Sequence, residues 1–354
     1  MENFRMEGQK LLYHIPRLYR WCKGENIYPI YIEIGLFGGC NHRCIFCAFD
    51  YLNYETVMLD TECLKKFLRY AKKRGVKAIL YSGEGEPLLH KDIIDITAFT
   101  KQLGFDVALS TNGVMLNKDR ADKILKCLTW LRMDVDAATE DTYSFIHKAD
   151  KGDFQWLINN IKDTVKIKKQ NRLECIINVQ FLLIPQNYKE VIKLARMMKI
   201  IGVDQLIIKP HCYHPLSKNK IDANFPQADL LWLEKKLEKY ADDNFNVIFC
   251  YRMMKKNKEQ KPYSFCFGFA FAAHITARGD IYPCNAFVGK KEFSFGNICK
   301  KNFRDIWEGK KRKNIVKKIR NNWDVENCRN SCRLDEMNRY LWELKNPGKH
   351  VNFI

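Results

Sequence analysis

Gly38-Gly39-Cys40-Asn41-His42-Arg43-Cys44-Ile45-Phe46-Cys47 is the segment that decides how the rest of the chain is read. It directly follows a short β-rich run, Ile30 to Ile34. Three thiolates at this spacing suit three irons of a cubane cluster, with the loop wrapped around it. The remaining iron then lacks a protein ligand and is open to a substrate or cofactor. Zinc is the competing reading. It usually takes four ligands and paired C-x₂-C spacing, and His42 would have to turn inward to serve.

Outward from this loop, helices and strands alternate. Thr61 to Arg74 reads as a helix closed by Gly75, and Lys77 to Ser82 as a strand. Lys91 to Leu103 reads as a helix stopped by Gly104, and Asp106 to Thr111 as a strand ending in an Asn112-Gly113 turn. A helix at Asp119 to Cys127, a strand at Trp130 to Val135 and helices at Glu140 to His147 and Phe154 to Lys169 follow. Glu174 to Ile184 is a strand, Tyr188 to Ile201 a helix and Gln205 to Lys209 a strand. About six strands separated by helices need crossover connections, so they run parallel, in a barrel or an open α/β sheet. Residues 221–245 read as one more amphipathic helix, and a charged break lies at Met253 to Pro262. The expected organisation is an aromatic, basic extension over 1–29, an α/β unit over 30–245 and a small cysteine-bearing unit over 246–354.

Composition bounds the function. The 354 residues are 46% hydrophobic and 29% charged, enough to build a sizeable core. No apolar run is long enough to span a membrane, and MENFRMEGQK carries charges where a signal peptide needs its apolar region. The expectation is a cytoplasmic protein without a membrane partner. A net charge of +19 attracts anions without naming them. Fourteen cysteines in a reducing compartment call for an explanation other than disulfides, and grouped cysteines point to metal. Two groups stand out: Cys40, Cys44 and Cys47, then Cys266, Cys284, Cys328 and Cys332. Cys22, Cys63, Cys127, Cys175, Cys212, Cys250 and Cys299 read as core packing.

The C-x₃-C-x-aromatic-C pattern, with Phe46 as the aromatic, resembles the radical S-adenosylmethionine (SAM) superfamily. That resemblance implies a partial (β/α)6 barrel of parallel strands with a small C-terminal cluster-binding domain. It also implies that SAM chelates the open iron and yields a 5′-deoxyadenosyl radical that abstracts hydrogen. Further segments match in order. Tyr81-Ser82-Gly83-Glu84-Gly85-Glu86-Pro87 resembles the glycine-rich SAM motif, with Glu84 a departure from the usual glycine run. Ser110 and Asn112 in Ser-Thr-Asn-Gly, and Arg132 and Asp134 in Arg132-Met133-Asp134, resemble the segments after the third and fourth strands. The resemblance therefore implies cofactor contacts from Phe46, Gly83, Glu84, Gly85, Glu86, Ser110, Asn112, Arg132 and Asp134. Taken alone, a Thr-Asn-Gly is usually a turn and a strand-end Asp usually a helix cap.

In the second group, Cys266, Gly279-x₄-Cys284, Phe295-Gly296-Asn297-Ile298, Ile306-Trp307 and Cys328-x₃-Cys332 resemble the SPASM and Twitch extensions. Four cysteines suffice for one fully ligated auxiliary [4Fe–4S] cluster. The Cys-x₃-Cys spacing departs from the commoner C-x₂-C and leaves room for Cys299 or Cys250 as a ligand. A zinc staple would need the same four thiolates.

An auxiliary cluster without an open iron suits electron transfer. The resemblance therefore implies oxidation of an alcohol carbon in a sugar, nucleotide sugar or aminocyclitol, a dehydrogenase-type radical SAM oxidoreductase acting on a small substrate, with an anionic or phosphorylated one suited to the positive charge. Such an enzyme needs a reductase or a flavodoxin- or ferredoxin-type electron donor. Lys209, His211 and His214, after the sixth strand, are candidates for binding a phosphate or hydroxyl or for proton transfer; solvated loop residues are the plainer reading. Cys212 is the candidate hydrogen donor of an epimerase. A peptide-modifying maturase is a further enzyme reading, against which stand the few residues, about 29, ahead of the first strand. The non-enzyme reading is an iron–sulfur or zinc protein that binds nucleic acid. The densest basic run, Lys310 to Arg320, instead looks like the solvated face of a helix with Ile315, Val316 and Ile319 turned inward.

Overall fold

Strand register accounts for the architecture of this computed structural model, which describes residues 8–353 apart from 213, 257, 258 and 330. The first seven residues of the expected extension and two residues of the expected break lie outside the described residues, as does Tyr213. In chain order the strands are β1 (Tyr31–Ile34), β2 (Ala78–Tyr81), β3 (Asp106–Thr111), β4 (Trp130–Asp134), β5 (Ile176–Leu183), β6 (Gln205–Pro210), β7 (Asn246–Phe249), β8 (Ala272–Ile275), β9 (Asp280–Tyr282) and β10 (Gly296–Asn297). Strands β1 to β7 pair parallel in sequence order, and β8 adds parallel to the free edge of β1. Strands β9 and β10 continue antiparallel from β8.

The helices are α1 (Ile15–Cys22), α2 (Thr61–Lys73), α3 (Ile93–Gln102), α4 (Lys118–Leu125), α5 (Glu140–His147), α6 (Lys151–Gln170), α7 (Val191–Ile201), α8 (Gln227–Glu238), α9 (Tyr251–Lys256), α10 (Phe303–Trp307), α11 (Lys310–Asn322) and α12 (Asp335–Lys345). Helices α2 to α7 lie in the crossovers of a parallel sheet. Their starts are set locally: the side chains of Asp60, Asn117 and Thr139 accept from the Cys63, Arg120 and Thr142 amides. Leu64, Leu68 and Ala71 of α2 and Leu157, Ile161 and Val165 of α6 then bury the helix faces against Ile32, Ile79, Leu109 and Leu131. One continuous core results, and it reaches Phe287, Phe295 and Trp307 of the C-terminal region.

Three expectations change. The helix expected over 221–245 spans only Gln227–Glu238. Asp242 Oδ1 accepts from the Asn244 and Phe245 amides and turns the chain into β7, so a boundary at 245 falls just before a strand that pairs with β6. The C-terminal region is not separate from the sheet, because β8 extends it. Finally, one pair of cysteines is bonded: Cys63 on α2 and Cys299 after β10 form a disulfide with Cα atoms 5.2 Å apart, which removes Cys299 as a cluster ligand. The basic run does form a helix, α11, with Lys311, Lys313 and Lys317 exposed, but Arg312 is buried under it. The Arg312 guanidinium lies 3.8 Å from the Trp307 ring and donates to Asn26 Oδ1 and the Trp307 carbonyl. Of the seven cysteines expected in the core, Cys127 and Cys175 are buried and Cys22 is exposed.

Candidate active site

The loop after β1 carries the first cysteine group. Cys40, Cys44 and Cys47 are half-buried, and each thiol is pushed up, first by burial; Cys40 reaches about 12. Charge on Cys47 raises Cys40, and charge on Cys40 and Cys47 raises Cys44, so the three sulfurs share one neighbourhood. Polar partners already surround them. The His42 amide reaches Cys40 Sγ at 3.4 Å, His147 Nδ1 lies 3.2 Å from Cys44 Sγ, and the Tyr54 hydroxyl hydrogen-bonds Cys47. Thiols crowded together beneath N–H and O–H donors fit a cationic iron cluster, whose ligation requires thiolates. Phe46 packs edge-on against His147 with centroids 5.4 Å apart.

His42 does not turn into a fourth ligand position. Its Nε2 pairs with Asp153 Oδ2 at 3.0 Å. His42, Cys44 and His147 do bring donor atoms within 4.8 Å of one another. Among the described residues no set of three cysteines closes to that spacing, whereas a single zinc at about 2.3 Å from each sulfur would require it. Burial pushes His147 down to about 3, so the ring is neutral: its Nε2–H donates to the Val135 carbonyl at 3.1 Å, which leaves Nδ1 to accept from the Cys44 thiol.

The glycine loop after β2 runs against the cysteine loop. Gly85 has φ +74°, and a Cβ there would overlap the Phe37 and Gly39 carbonyls, so close backbone approach demands glycine. Glu86 is buried and accepts from the Leu88 amide at 2.9 Å, Thr111 Oγ1 at 2.6 Å and the Asn112 amide at 2.8 Å. Burial pushes its pKa up to about 7 against those three donors. Asn112 Nδ2 in turn donates to Asn41 Oδ1 at 2.7 Å, beside Cys40. Glu84 turns away from this loop: its Oε1 accepts from the Ala277 amide at 2.7 Å and its Oε2 lies 3.3 Å from His274 Nε2. Gly83, at φ +131°, packs under the same His274.

The ends of β3, β4 and β6 supply the other expected residues. Ser110 Oγ accepts from Arg132 Nη2 at 2.9 Å, and Arg132 lies 3.7 Å from Asp134, whose Oδ1 is buried without a hydrogen-bond partner. Lys209 donates to Gln180 Oε1 at 2.9 Å. Burial, then the positive charge of Arg132, pushes Lys209 down to about 7. His211 and His214 are buried rather than solvated. His214 stacks on Tyr51, centroids 4.9 Å apart, and burial pushes it down to about 4.

The cysteines of the second group lie in one neighbourhood. Cys266, Cys284, Cys328 and Cys332 are pushed up by burial, and Cys332 reaches about 11. Cys284 feels the other three. Asn338 Nδ2, Trp323 Nε1 and the Leu334 amide reach Cys266, Cys328 and Cys332 at 3.3, 3.1 and 3.4 Å. The same thiol-and-donor chemistry fits a second cluster. The loop after β6 touches both groups: Cys212 Sγ faces the Ser331 carbonyl at 3.8 Å, and Ser217 Oγ donates to the Cys47 carbonyl at 3.4 Å.

Sequence reasoning missed the charged residues that link these parts. Arg333, directly after Cys332, donates to Glu33 Oε2 and the Tyr31 hydroxyl, both at 2.5 Å. Arg329, directly after Cys328, hydrogen-bonds Cys212. An acid alternating with apolar residues in Tyr31-Ile32-Glu33-Ile34 was the available signal for Glu33.

A model of the radical SAM superfamily matches residues 34–198, and one of an iron–sulfur cluster-binding domain, SPASM, matches 266–333. The chain is 24% identical over 306 residues to the tungsten-containing aldehyde ferredoxin oxidoreductase cofactor-modifying protein of Pyrococcus furiosus, covering 78% of this chain and 80% of that protein. It is 28% identical over 212 residues to a probable GTP 3′,8-cyclase of Saccharolobus solfataricus, covering 59% of this chain and 65% of the relative. Among solved structures, Streptococcus suis SuiB bound to S-adenosylmethionine superposes with a TM-score of 0.67 at 20% identity, over 96% of this chain and 80% of that one. Native anSMEcpe with bound AdoMet gives 0.59 at 15% identity, over 89% and 95%. At these identities the two structures establish a shared fold. No helix among the described residues is long and apolar enough to cross a membrane. Two matched domains, each falling on a cysteine group built as above, show that the chain belongs to the radical SAM superfamily, carries a SPASM-type domain, and works with SAM and two [4Fe–4S] clusters.

Proposed function

We propose that this radical SAM enzyme oxidises a carbon bearing a hydroxyl group in a small polyol-type substrate held at the barrel mouth, with Lys209 as the group that accepts the hydroxyl proton. When bound, SAM and the two clusters supply hydrogen abstraction and one-electron transfer. Cys40, Cys44 and Cys47 hold the first cluster, and Cys266, Cys284, Cys328 and Cys332 the second. The observation that carries the reading is the segment at the end of β6: Lys209 on the strand donates to Gln180, and in the loop beyond it Cys212 faces the Ser331 carbonyl beside Cys332 while Ser217 donates to the Cys47 carbonyl. A substrate beside that loop lies between the two cysteine groups. Lys209 is suited to the proton because its pKa lies near neutrality and its hydrogen-bond partner, Gln180, is uncharged. Arg132 and Asp134, next to it in charge, orient polar groups of the substrate.

The test is anaerobic turnover of reconstituted enzyme with sugars, nucleotide sugars and aminocyclitols. A product two hydrogens lighter than its substrate, with one 5′-deoxyadenosine per product, supports the reading. A product of unchanged mass carrying solvent deuterium at one carbon identifies an epimerase, with Cys212 as the hydrogen donor to examine. A peptide substrate is the second reading, favoured by one observation: the fold match to SuiB, also solved with its precursor peptide SuiA, extends over 96% of this chain. Turnover of peptides alone would establish it.

A further inference from the structure

The glycine loop is gripped from two sides, and the second grip is peculiar to residues outside the SAM motif. Glu86 ties the loop to β3. Glu84 ties it to the C-terminal region, through the Ala277 amide in the turn after β8 and through His274 on β8. His274 does not end the connection. Its Nδ1 lies 4.0 Å from Glu33 Oε2, on the β1 residue directly opposite it in register. Glu33 Oε2 accepts from Arg333 Nη1, one residue beyond the cluster ligand Cys332. The result is a row of acid, imidazole, acid and guanidinium from the SAM loop to the auxiliary cysteine loop, hydrogen-bonded at Glu84 and at Arg333 and joined in the middle by the 4.0 Å approach of His274 Nδ1, itself without a hydrogen-bond partner, to Glu33.

Glu84, His274 and Glu33 are 7%, 1% and 7% exposed. Ionisable groups this deeply buried need compensating neighbours, and here each group's nearest charged neighbour is the next one in the row. The backbone has been shaped to admit it. A side chain at Gly35 would overlap the Glu84 carboxylate, and one at Gly83 would press on the His274 ring. Glu84 itself is the residue that interrupts the glycine run of the motif.

We propose that Glu84 is a positioning residue for SAM: through His274, Glu33 and Arg333 it locks the glycine loop to the loop that carries Cys332, so that SAM affinity depends on the C-terminal region. The inference uses the superfamily assignment and is independent of which substrate is oxidised. Glu84→Gln keeps an acceptor for the Ala277 amide and replaces the charged oxygen facing His274 with a neutral NH2 group. It should weaken SAM binding roughly tenfold, the equivalent of one charge-assisted hydrogen bond. Arg333→Gln, at the half-exposed far end, should weaken it in the same direction.

The dissociation constant for SAM is measured by anaerobic equilibrium dialysis on the reconstituted full chain, with iron content determined on the same samples. Formation of 5′-deoxyadenosine is followed against SAM concentration, where KM should rise while kcat stays within about twofold. Arg333→Lys, which keeps the charge, should restore most of the affinity. A lower thermal midpoint with wild-type SAM affinity in Glu84→Gln would reduce Glu84 to a structural strut and overturn the proposal. If Glu84→Gln does not fold, Arg333→Gln decides: wild-type SAM affinity there overturns the coupling.

Discussion

Replacing Glu86 by Ala is the sharpest mechanical test of the site. The carboxylate takes the Leu88 and Asn112 amides and the Thr111 hydroxyl, and all three bonds are buried. The alanine variant strands two backbone donors that cannot rotate to other partners, whereas the Thr111 hydroxyl can turn. A buried unsatisfied donor costs roughly 1–3 kcal/mol, so two cost about 2–6 kcal/mol, with a smaller addition for the hydroxyl. That is a large share of a typical stability of about 5–15 kcal/mol. Glu86→Gln retains one acceptor oxygen and should lose only about 1–2 kcal/mol. Anaerobic urea denaturation of reconstituted protein, followed by far-ultraviolet circular dichroism, measures both. The Asn112–Asn41 bond next to Cys40 depends on the same clamp, so the alanine variant should also lose first-cluster iron under mild chelation. A loss below about 1 kcal/mol in Glu86→Ala would show that the carboxylate does not hold these loops.

Lys209 gives the pH test. Its pKa, 10.5 when unperturbed, is pushed to about 7 by burial first and the charge of Arg132 next, so the proton acceptor becomes available as pH rises through about 7. Product formation should rise over that range and lose its pH step in Lys209→Met, while SAM cleavage without substrate should not show the step. The stability sign agrees: between about 7 and 10.5 the unfolded lysine holds a proton that the folded one lacks, so this group makes stability rise with pH there. Breaking the Cys63–Cys299 bridge with Cys63→Ser should cost about 2–4 kcal/mol and leave iron content unchanged, read as a thermal-midpoint drop that dithiothreitol reproduces in the parent protein. Changing Cys266, Cys284, Cys328 or Cys332 to Ala should remove about four irons while sparing some SAM cleavage and abolishing the oxidised product, with circular dichroism confirming that the C-terminal region still folds.

The barrel was legible because each crossover announces itself locally. Gly75 and Gly104 end helices at positive φ, and after Asp106 every residue of the strand to Thr111 is buried, as in a parallel strand covered on both faces. The first cysteine loop was legible because covalent spacing alone brings its thiols together. What escaped depends on contacts far apart in sequence. Nothing near Cys63 marks its partner 236 residues away. The pairing of β8 with β1 brings His274 to Glu33 across the same kind of distance, and only that pairing explains why Glu84 stands in a glycine run. Residues 221–245 misled because Leu230, Leu233 and Leu237 mark a helix whose end at Glu238 is followed by the Asp242 turn, and that turn leads into a strand fixed by pairing with β6. Arg312 was hidden in a basic run whose other members are solvated, and only the aromatic floor of Trp307 and Phe295 selects it for burial.

The most direct measurement is iron and 5′-deoxyadenosine on one preparation of the Cys40→Ala, Cys44→Ala, Cys47→Ala triple variant beside the parent chain, both reconstituted without air. The parent should hold about eight irons, two clusters of four, and cleave SAM. The variant should keep about four irons, those on Cys266, Cys284, Cys328 and Cys332, and form no 5′-deoxyadenosine. A variant that still forms 5′-deoxyadenosine would contradict the assignment of the first cysteine loop as the site of radical chemistry.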